Sequence, residues 1–282
     1  MRILLIGKNG QLGRAFTNLL ALKPAKLCAL SKSDLDVTAF SELEEQFETF
    51  RPDVTINCAA YTDVNRAESE SAQAMAVNHR AVESLASLCG KFQTRLVHFS
   101  TDYVFDGAKG LPYVEADSPN PLNVYGESKL RGESAISNSD APWLVLRTSW
   151  VYGEGERNFI SKLRTWAKTN KALRIVDDEF SVPTSTVDIA KYTYACIEQE
   201  LTGLFHLVSS SSTTRYEYAL AIKELDPSFP ATIEPAKLSE FDSGPQRPAY
   251  SVLANGKLAQ TLRTEIPHWR DSLERFLSAR QQ

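Results

Sequence analysis

Tyr125 and Lys129 stand four residues apart, a spacing that places both on one face of a helix, one turn from each other. A phenol ionises near pH ~10, too high for ready proton exchange near neutrality. A neighbouring ammonium favours the phenolate, so the pair can work as a general acid while the lysine also holds a ribose. Tyrosine and lysine at this spacing also occur in many helices that do no chemistry. Thr101 gives the pair a setting: it follows an apolar run and offers a hydroxyl to a carbonyl oxygen that Tyr125 could protonate.

A second constellation lies near the N-terminus. Gly7, Gly10 and Gly13, with Gln11 and Leu12 between them, give G-x-x-G-x-x-G rather than the usual G-x-G-x-x-G of dinucleotide sites. The physics is similar. Gly7 allows a tight turn, Gly10 lets a pyrophosphate approach the backbone, and Gly13 lets the following helix pack close. Free N–H groups at the helix start then face the phosphates. The plainer alternative is an ordinary strand-to-helix turn. Beyond the second strand, Ser31 and Lys32 stand where an acid would bind the ribose hydroxyls of NAD. A hydroxyl and a cation suit a 2′-phosphate, so the expected cofactor is NADPH, with NADH also admissible; a solvated Ser-Lys pair is the alternative.

The elements that must position these groups follow from hydrophobic periodicity. Apolar runs at Arg2–Ile6, Lys26–Leu30, Asp53–Asn57, Arg95–Ser100 and Trp143–Ser149 read as strands. Helices are expected at Gln11–Leu22, Ala39–Phe50 with Thr38 as N-cap, Ser71–Cys89 and Asn123–Ile136. Strands alternating with helices demand right-handed crossovers and a parallel sheet. The expected fold is therefore α/β: a Rossmann-type doubly wound sheet in residues 1–150, then a smaller mixed α/β substrate-binding domain in 151–282, with some of that chain returning to the first domain. Ligands of such sheets bind at the carboxyl ends of the strands, where Thr101 is offered.

Composition narrows the class. The 282 residues carry 31 Lys plus Arg and 35 Asp plus Glu, a net charge of −4, which gives no footprint for nucleic acid. No apolar run reaches the ~18 residues of a membrane helix, and the N-terminal run is too short for a signal core. Cys28, Cys58, Cys89 and Cys196 are widely spaced, as expected of reduced thiols in a cytoplasmic protein. No metal ligand set is expected. His98, inside an apolar strand, reads as a core histidine. His79, His206 and His268 cluster with no acid or cysteine.

Together these residues resemble the extended short-chain dehydrogenase/reductases and, among them, the dTDP-4-dehydrorhamnose reductase family. The resemblance spans nearly the whole chain: Gly7–Gly13, Asn57–Thr62, Val77-Asn78, Ser100–Phe105, Tyr125–Lys129 with Glu133, Arg147–Gly153, Asn158-Phe159, Pro183-Thr184 and Arg247-Pro248. It implies that Thr101, Tyr125 and Lys129 are the catalytic trio. Gly10, Gln11, Leu12, Asp36, Val37, Ala59, Ala60, Tyr61 and Phe99 are implied to line the cofactor, and Asn78 to orient the lysine through water. Asp102, Tyr103 and Trp150 are implied to contact the sugar nucleotide, and Arg247 could pair with its diphosphate. The implied reaction is NAD(P)H-dependent reduction of a 4-keto sugar; the rivals are another nucleotide-sugar reductase or epimerase, or a regulatory subunit like that of methionine adenosyltransferase. Two departures stand out. A homodimer is open, but Ala15 and Val187 stand where some members bridge a dimer through glutamates and magnesium, so that bridge is not supported. Asp178-Glu179-Phe180-Ser181 also replaces the family's Asp-Gln-x-Gly.

Overall fold

The computed structural model describes residues 1–241 and 244–279. Strand β1 (Arg2–Ile6) is buried from Ile3 onward and feeds through the glycine turn into α1 (Gln11–Leu20), whose buried side carries Phe16 and Leu20. The alternation continues through β2 (Lys26–Leu30), α2 (Phe40–Phe50), β3 (Val54–Asn57), α3 (Val64–Ser69), α4 (Ser71–Met75), α5 (Ala81–Lys91), β4 (Arg95–Thr101), α6 (Val124–Ser137) and β5 (Trp143–Thr148). Beyond it lie β6 (Val151–Tyr152), α7 (Phe159–Thr169), β7 (Ala172–Val176), β8 (Phe180–Ser181), β9 (Thr184–Ser185) and α8 (Thr186–Glu198). The chain closes with β10 (Gly203–His206), β11 (Thr213–Thr214), α9 (Arg215–Glu224), β12 (Thr232–Ala236), α10 (Gly256–Leu262) and α11 (Trp269–Ser278).

Six strands form one sheet in the order β10-β5-β4-β3-β1-β2, and every neighbouring pair is parallel. The chain moves from β1 to one side, then returns past it to the other, so helices cover both faces. One face packs α1 and α8 through Phe16, Ile189 and Cys196; the other packs α2 and α5 through Leu43, Phe47 and Leu85. The order reverses between β1 and β3, and the crevice beyond their carboxyl ends is where such sheets take ligands. A separate core of Tyr152, Ile160, Tyr218 and Leu273 unites α7, α9 and α11 in the smaller part. Strand β10 lies far along the chain but pairs with β5, Gly203 to His206 against Leu144 to Arg147.

Three local expectations need correction. The single helix expected over Ser71–Cys89 is interrupted by a π-turn at Ala76–Arg80. That wider turn brings Asn78 against α6, where only glycine fits: a Cβ on Gly132 would lie 2.3 Å from the Asn78 carbonyl oxygen. Thr38 does not cap α2. The N-cap is Ala39, without a side-chain cap, because the Thr38 hydroxyl donates to Asp36 Oδ1 at 2.8 Å. Helix α1 ends at Leu20 rather than Leu22, its last residues tightening into a turn before Pro24.

Candidate active site

A cleft of about 1080 Å³ opens at the switch point between β1 and β3. The turn above β1 forms its floor. Gly7 takes φ +88°, and a Cβ there would lie 2.8 Å from the Ala59 nitrogen at the end of β3. A Cβ on Gly13 would lie 2.1 Å from the Gly7 carbonyl oxygen, so both glycines are required by close backbone approach. No side chain caps α1 at Gly10, which leaves the first N–H groups of a ten-residue helix facing the cleft. These features fit a dinucleotide pyrophosphate.

Gly7, Gly10, Ser31, Lys32, Asp36, Val37, Ala59, Ala60, Tyr61 and Arg247 all line this cleft. Three expected cofactor residues spend their side chains elsewhere. Leu12 packs into the core. Gln11 Oε1 accepts from Asn158 Nδ2 at 2.8 Å, tying the turn to the start of α7. Phe99 packs its ring 5.7 Å from that of Phe16, and its carbonyl accepts from Lys129 Nζ at 2.7 Å.

The end of β2 differs from the sequence reading in one respect. Ser31 is buried, and its hydroxyl donates to Asp34 Oδ2 at 2.8 Å rather than standing free. Asp34 also pairs with Lys8 at 2.8 Å, and these contacts hold its carboxyl well below the usual range. Lys32 is exposed and lines the cleft, as do the exposed Arg66 and Arg157. Asp36 accepts from the Thr38 backbone and hydroxyl, which lowers its pKa in the same way.

Helix α6 carries Tyr125 and Lys129. Asn123 caps it by accepting from the Gly126 N–H at 2.9 Å. Gly126 is required because a Cβ would meet the Tyr103 carbonyl oxygen at 2.2 Å. The helix is pinned to the sheet by a buried bidentate pair, Arg147 of β5 to Glu133, at 2.9 and 2.7 Å. Asn78 uses its whole amide: Nδ2 donates to Tyr61 O and Ser128 Oγ, and Oδ1 accepts from the Tyr61 N–H. It thus binds the cleft wall to α6.

Thr101, at the end of β4, stands within hydrogen-bonding reach of the Tyr125 phenol on α6, whereas Lys129, one turn on, directs its amine to β4 itself. The Tyr125 phenol is pushed up to about 12 by burial, with Thr101 opposing that rise and the Asp102 charge adding to it. Lys129 is 2% exposed, and burial lowers its ammonium to about 8. Its Nζ reaches the Phe99 carbonyl and, at 3.1 Å, His98 Nε2. The expected lowering of the tyrosine by the lysine is therefore not what governs Tyr125 here; desolvation is. His98 is buried, as expected of a core histidine, yet it touches the catalytic lysine. Nothing in its strand signals that contact, because Lys129 is 31 residues away.

The opposite side of the site is built from the C-terminal half. Asp102 accepts from Ser181 Oγ at 3.0 Å, Ser251 Oγ at 2.5 Å and Thr101 Oγ1 at 3.1 Å. Burial raises it to about 6, against the pull of those hydroxyls. Its carboxylate is thus a clamp between the two halves. Tyr103 is buried and sets its ring edge-on to Tyr125 at 5.9 Å. Trp150 takes φ +38°, rare for a bulky residue. Arg215 stacks on its ring at 3.5 Å and lies 3.8 Å from Glu179, in the altered loop. The sequence reading missed Arg215. Its signal is a cation at the first position of α9, inside the Thr214–Glu217 capping box, where the helix dipole disfavours positive charge. Arg247 donates to Asn65 Oδ1 at 2.8 Å on the cleft wall.

Among the described residues no group of three or more His, Cys, Asp or Glu could hold a metal, and no helix is long and apolar enough to cross a membrane. Ala15 packs partly buried against the core, while Val187 is 61% exposed.

The family model described as the RmlD substrate binding domain matches residues 1–282. The chain is 34% identical to a dTDP-4-dehydrorhamnose reductase of Sinorhizobium fredii, covering 99% of this chain and 97% of that protein. It is also 34% identical to a dTDP-4-keto-6-deoxy-D-glucose reductase of Streptomyces niveus, covering 96% and 95%. The crystal structure of a Bacillus anthracis dTDP-4-dehydrorhamnose reductase in complex with NADP superposes with TM-score 0.95 at 30% identity, over 99% of each chain.

Proposed function

The chain belongs to the RmlD substrate binding domain family, and from that premise we infer that it reduces the 4-keto group of dTDP-4-dehydro-β-L-rhamnose to give dTDP-L-rhamnose. NADPH, when bound, supplies the hydride that goes to the keto carbon; NADH is the admissible substitute. Thr101 holds the carbonyl oxygen and Tyr125 gives it a proton, so the carbonyl becomes a secondary alcohol and the phenol becomes a phenolate. Lys129 holds the nicotinamide ribose and, when charged, favours that phenolate. The observation that carries this reading is the meeting of Thr101, at the end of β4, with the Tyr125 phenol on α6, beside a glycine-floored cleft.

Residues 1–150 serve in this reading as the cofactor domain and 151–282 mainly as the substrate domain; Trp150, at the boundary between them, and Arg247 grip the sugar nucleotide. The relative from Streptomyces niveus favours one second reading, the same reduction on dTDP-4-keto-6-deoxy-D-glucose. A cytoplasmic location belongs to the proposal and is supported by four unpaired thiols. A homodimer belongs to it too, without a magnesium bridge.

The test is NADPH and NADH oxidation, followed by absorbance, with each keto sugar in turn and Tyr125→Phe as control. Turnover of dTDP-4-dehydrorhamnose that collapses in the variant is the expected result. Turnover of the other sugar alone moves the assignment to it. Cofactor binding with no turnover of either overturns the reductase reading.

A further inference from the structure

The buried contacts around Lys129 form a chain whose donors can be counted. The Ala59 N–H donates to Asn57 Oδ1 at 3.0 Å, which fixes the orientation of the Asn57 amide. Asn57 Nδ2 therefore donates to His98 Nδ1, 3.2 Å away. A neutral imidazole that accepts at Nδ1 carries its proton on Nε2. That nitrogen lies 3.1 Å from Lys129 Nζ. Every link is satisfied only if Lys129 accepts there, as a free amine; an ammonium would set donor against donor in a site closed to water. We propose that Asn57 and His98 are positioning residues that hold Lys129 as the neutral amine in the cofactor-free protein.

The surroundings agree. His98 is fully buried, and that burial keeps its imidazole neutral. Burial also disfavours the Lys129 charge. The charged groups around α6 do little to restore it. Glu133, one turn on, is held by Arg147 of β5. Asp102, after β4, acts on Tyr125 and is bound by three hydroxyls. Glu68 of α3 accepts from the Val124 N–H at the helix start. The π-turn contributes the uncharged Asn78, and α5 contributes Val82. The amine has two hydrogens, one of them engaged by the Phe99 carbonyl.

Asn57→Asp tests this with an isosteric change. A carboxylate accepts from both the Ala59 N–H and a His98 Nδ1–H, so the chain reverses and His98 Nε2 becomes an acceptor for an ammonium. Nitrogen-15 NMR of the four histidines, with His98 identified by His98→Gln, reads the tautomer in the resting protein without turnover. The expected result is Nε2–H in the parent and Nδ1–H in Asn57→Asp. The basic limb of kcat/KM moves up by about 1–3 pH units in the variant. An Nδ1–H tautomer in the parent, or the same tautomer in both proteins, overturns the proposal. If Asn57→Asp fails to fold, the parent tautomer alone decides. The kinetic limb rests on the reductase reading, whereas the tautomer does not, so failure of one is separable from failure of the other.

Discussion

The two ends of the site are built by different means. The cofactor end is a backbone surface: Gly7, Gly10 and Gly13, three glycines within seven residues of one strand-to-helix turn, with a helix N-terminus above. The sugar end is a side-chain surface. Asp102 meets Ser181 and Ser251 across separations of 79 and 149 residues, and Trp150 meets Arg215. The first kind of site is specified by leaving atoms out, the second by pairing buried polar groups with one another. They should therefore fail differently, the first to one added methyl and the second to a lost partner.

The largest effect is expected where the two ends meet. Tyr125→Phe removes the proton donor and nothing else, so turnover falls by about 10²–10⁴-fold, while NADPH binding, read by fluorescence titration, stays within twofold or so. Arg147→Met strands the buried Glu133 carboxylate and costs about 3–5 kcal/mol of stability in denaturant unfolding, detaching α6 from the sheet. Gly13→Ala forces a Cβ against the Gly7 carbonyl. The strain, about 1–3 kcal/mol, weakens NADPH about 10–100-fold by the same titration.

Asp102→Asn sharpens the contrast because its sign is opposite. The folded carboxyl titrates at about 6 against ~3.9 unfolded, so the folded state binds the proton more tightly. Stability from this group therefore falls as pH rises from about 4 to about 6, and the full penalty applies above 6. The amide removes it. At pH 7 the variant should be more stable by about 2–3 kcal/mol, with no difference near pH 4, as thermal unfolding across that range will read. The smallest effect is at the seam: Gln11→Ala loses the Asn158 bond and about 1 kcal/mol, lowering Tm by about 2 °C.

The same contrast explains what was legible in the sequence. Strand–helix alternation and the glycine turn are local patterns, so the doubly wound sheet and the cleft floor could be read directly. The helix over 71–89 looked unbroken because Ala76–Arg80 contains no helix breaker; the π-turn is imposed by the approach of Asn78 to Gly132, 54 positions on. Thr38 has the right chemistry for a cap, but Asp36 competes for it. His98, Arg215 and the Asp102 clamp depend on partners far along the chain. Only their residue types were visible, not their company.

Strand β10 has a consequence for how the chain is made. The sheet is not complete when Thr148 leaves the ribosome, since the last strand follows after a further 55 residues, at Gly203. At ~5–20 residues per second that interval lasts roughly several seconds. Throughout it, β5 presents an open hydrogen-bonding edge that a second nascent chain could join. A fragment ending near residue 150 would keep that edge permanently, and should be found in the insoluble fraction on expression.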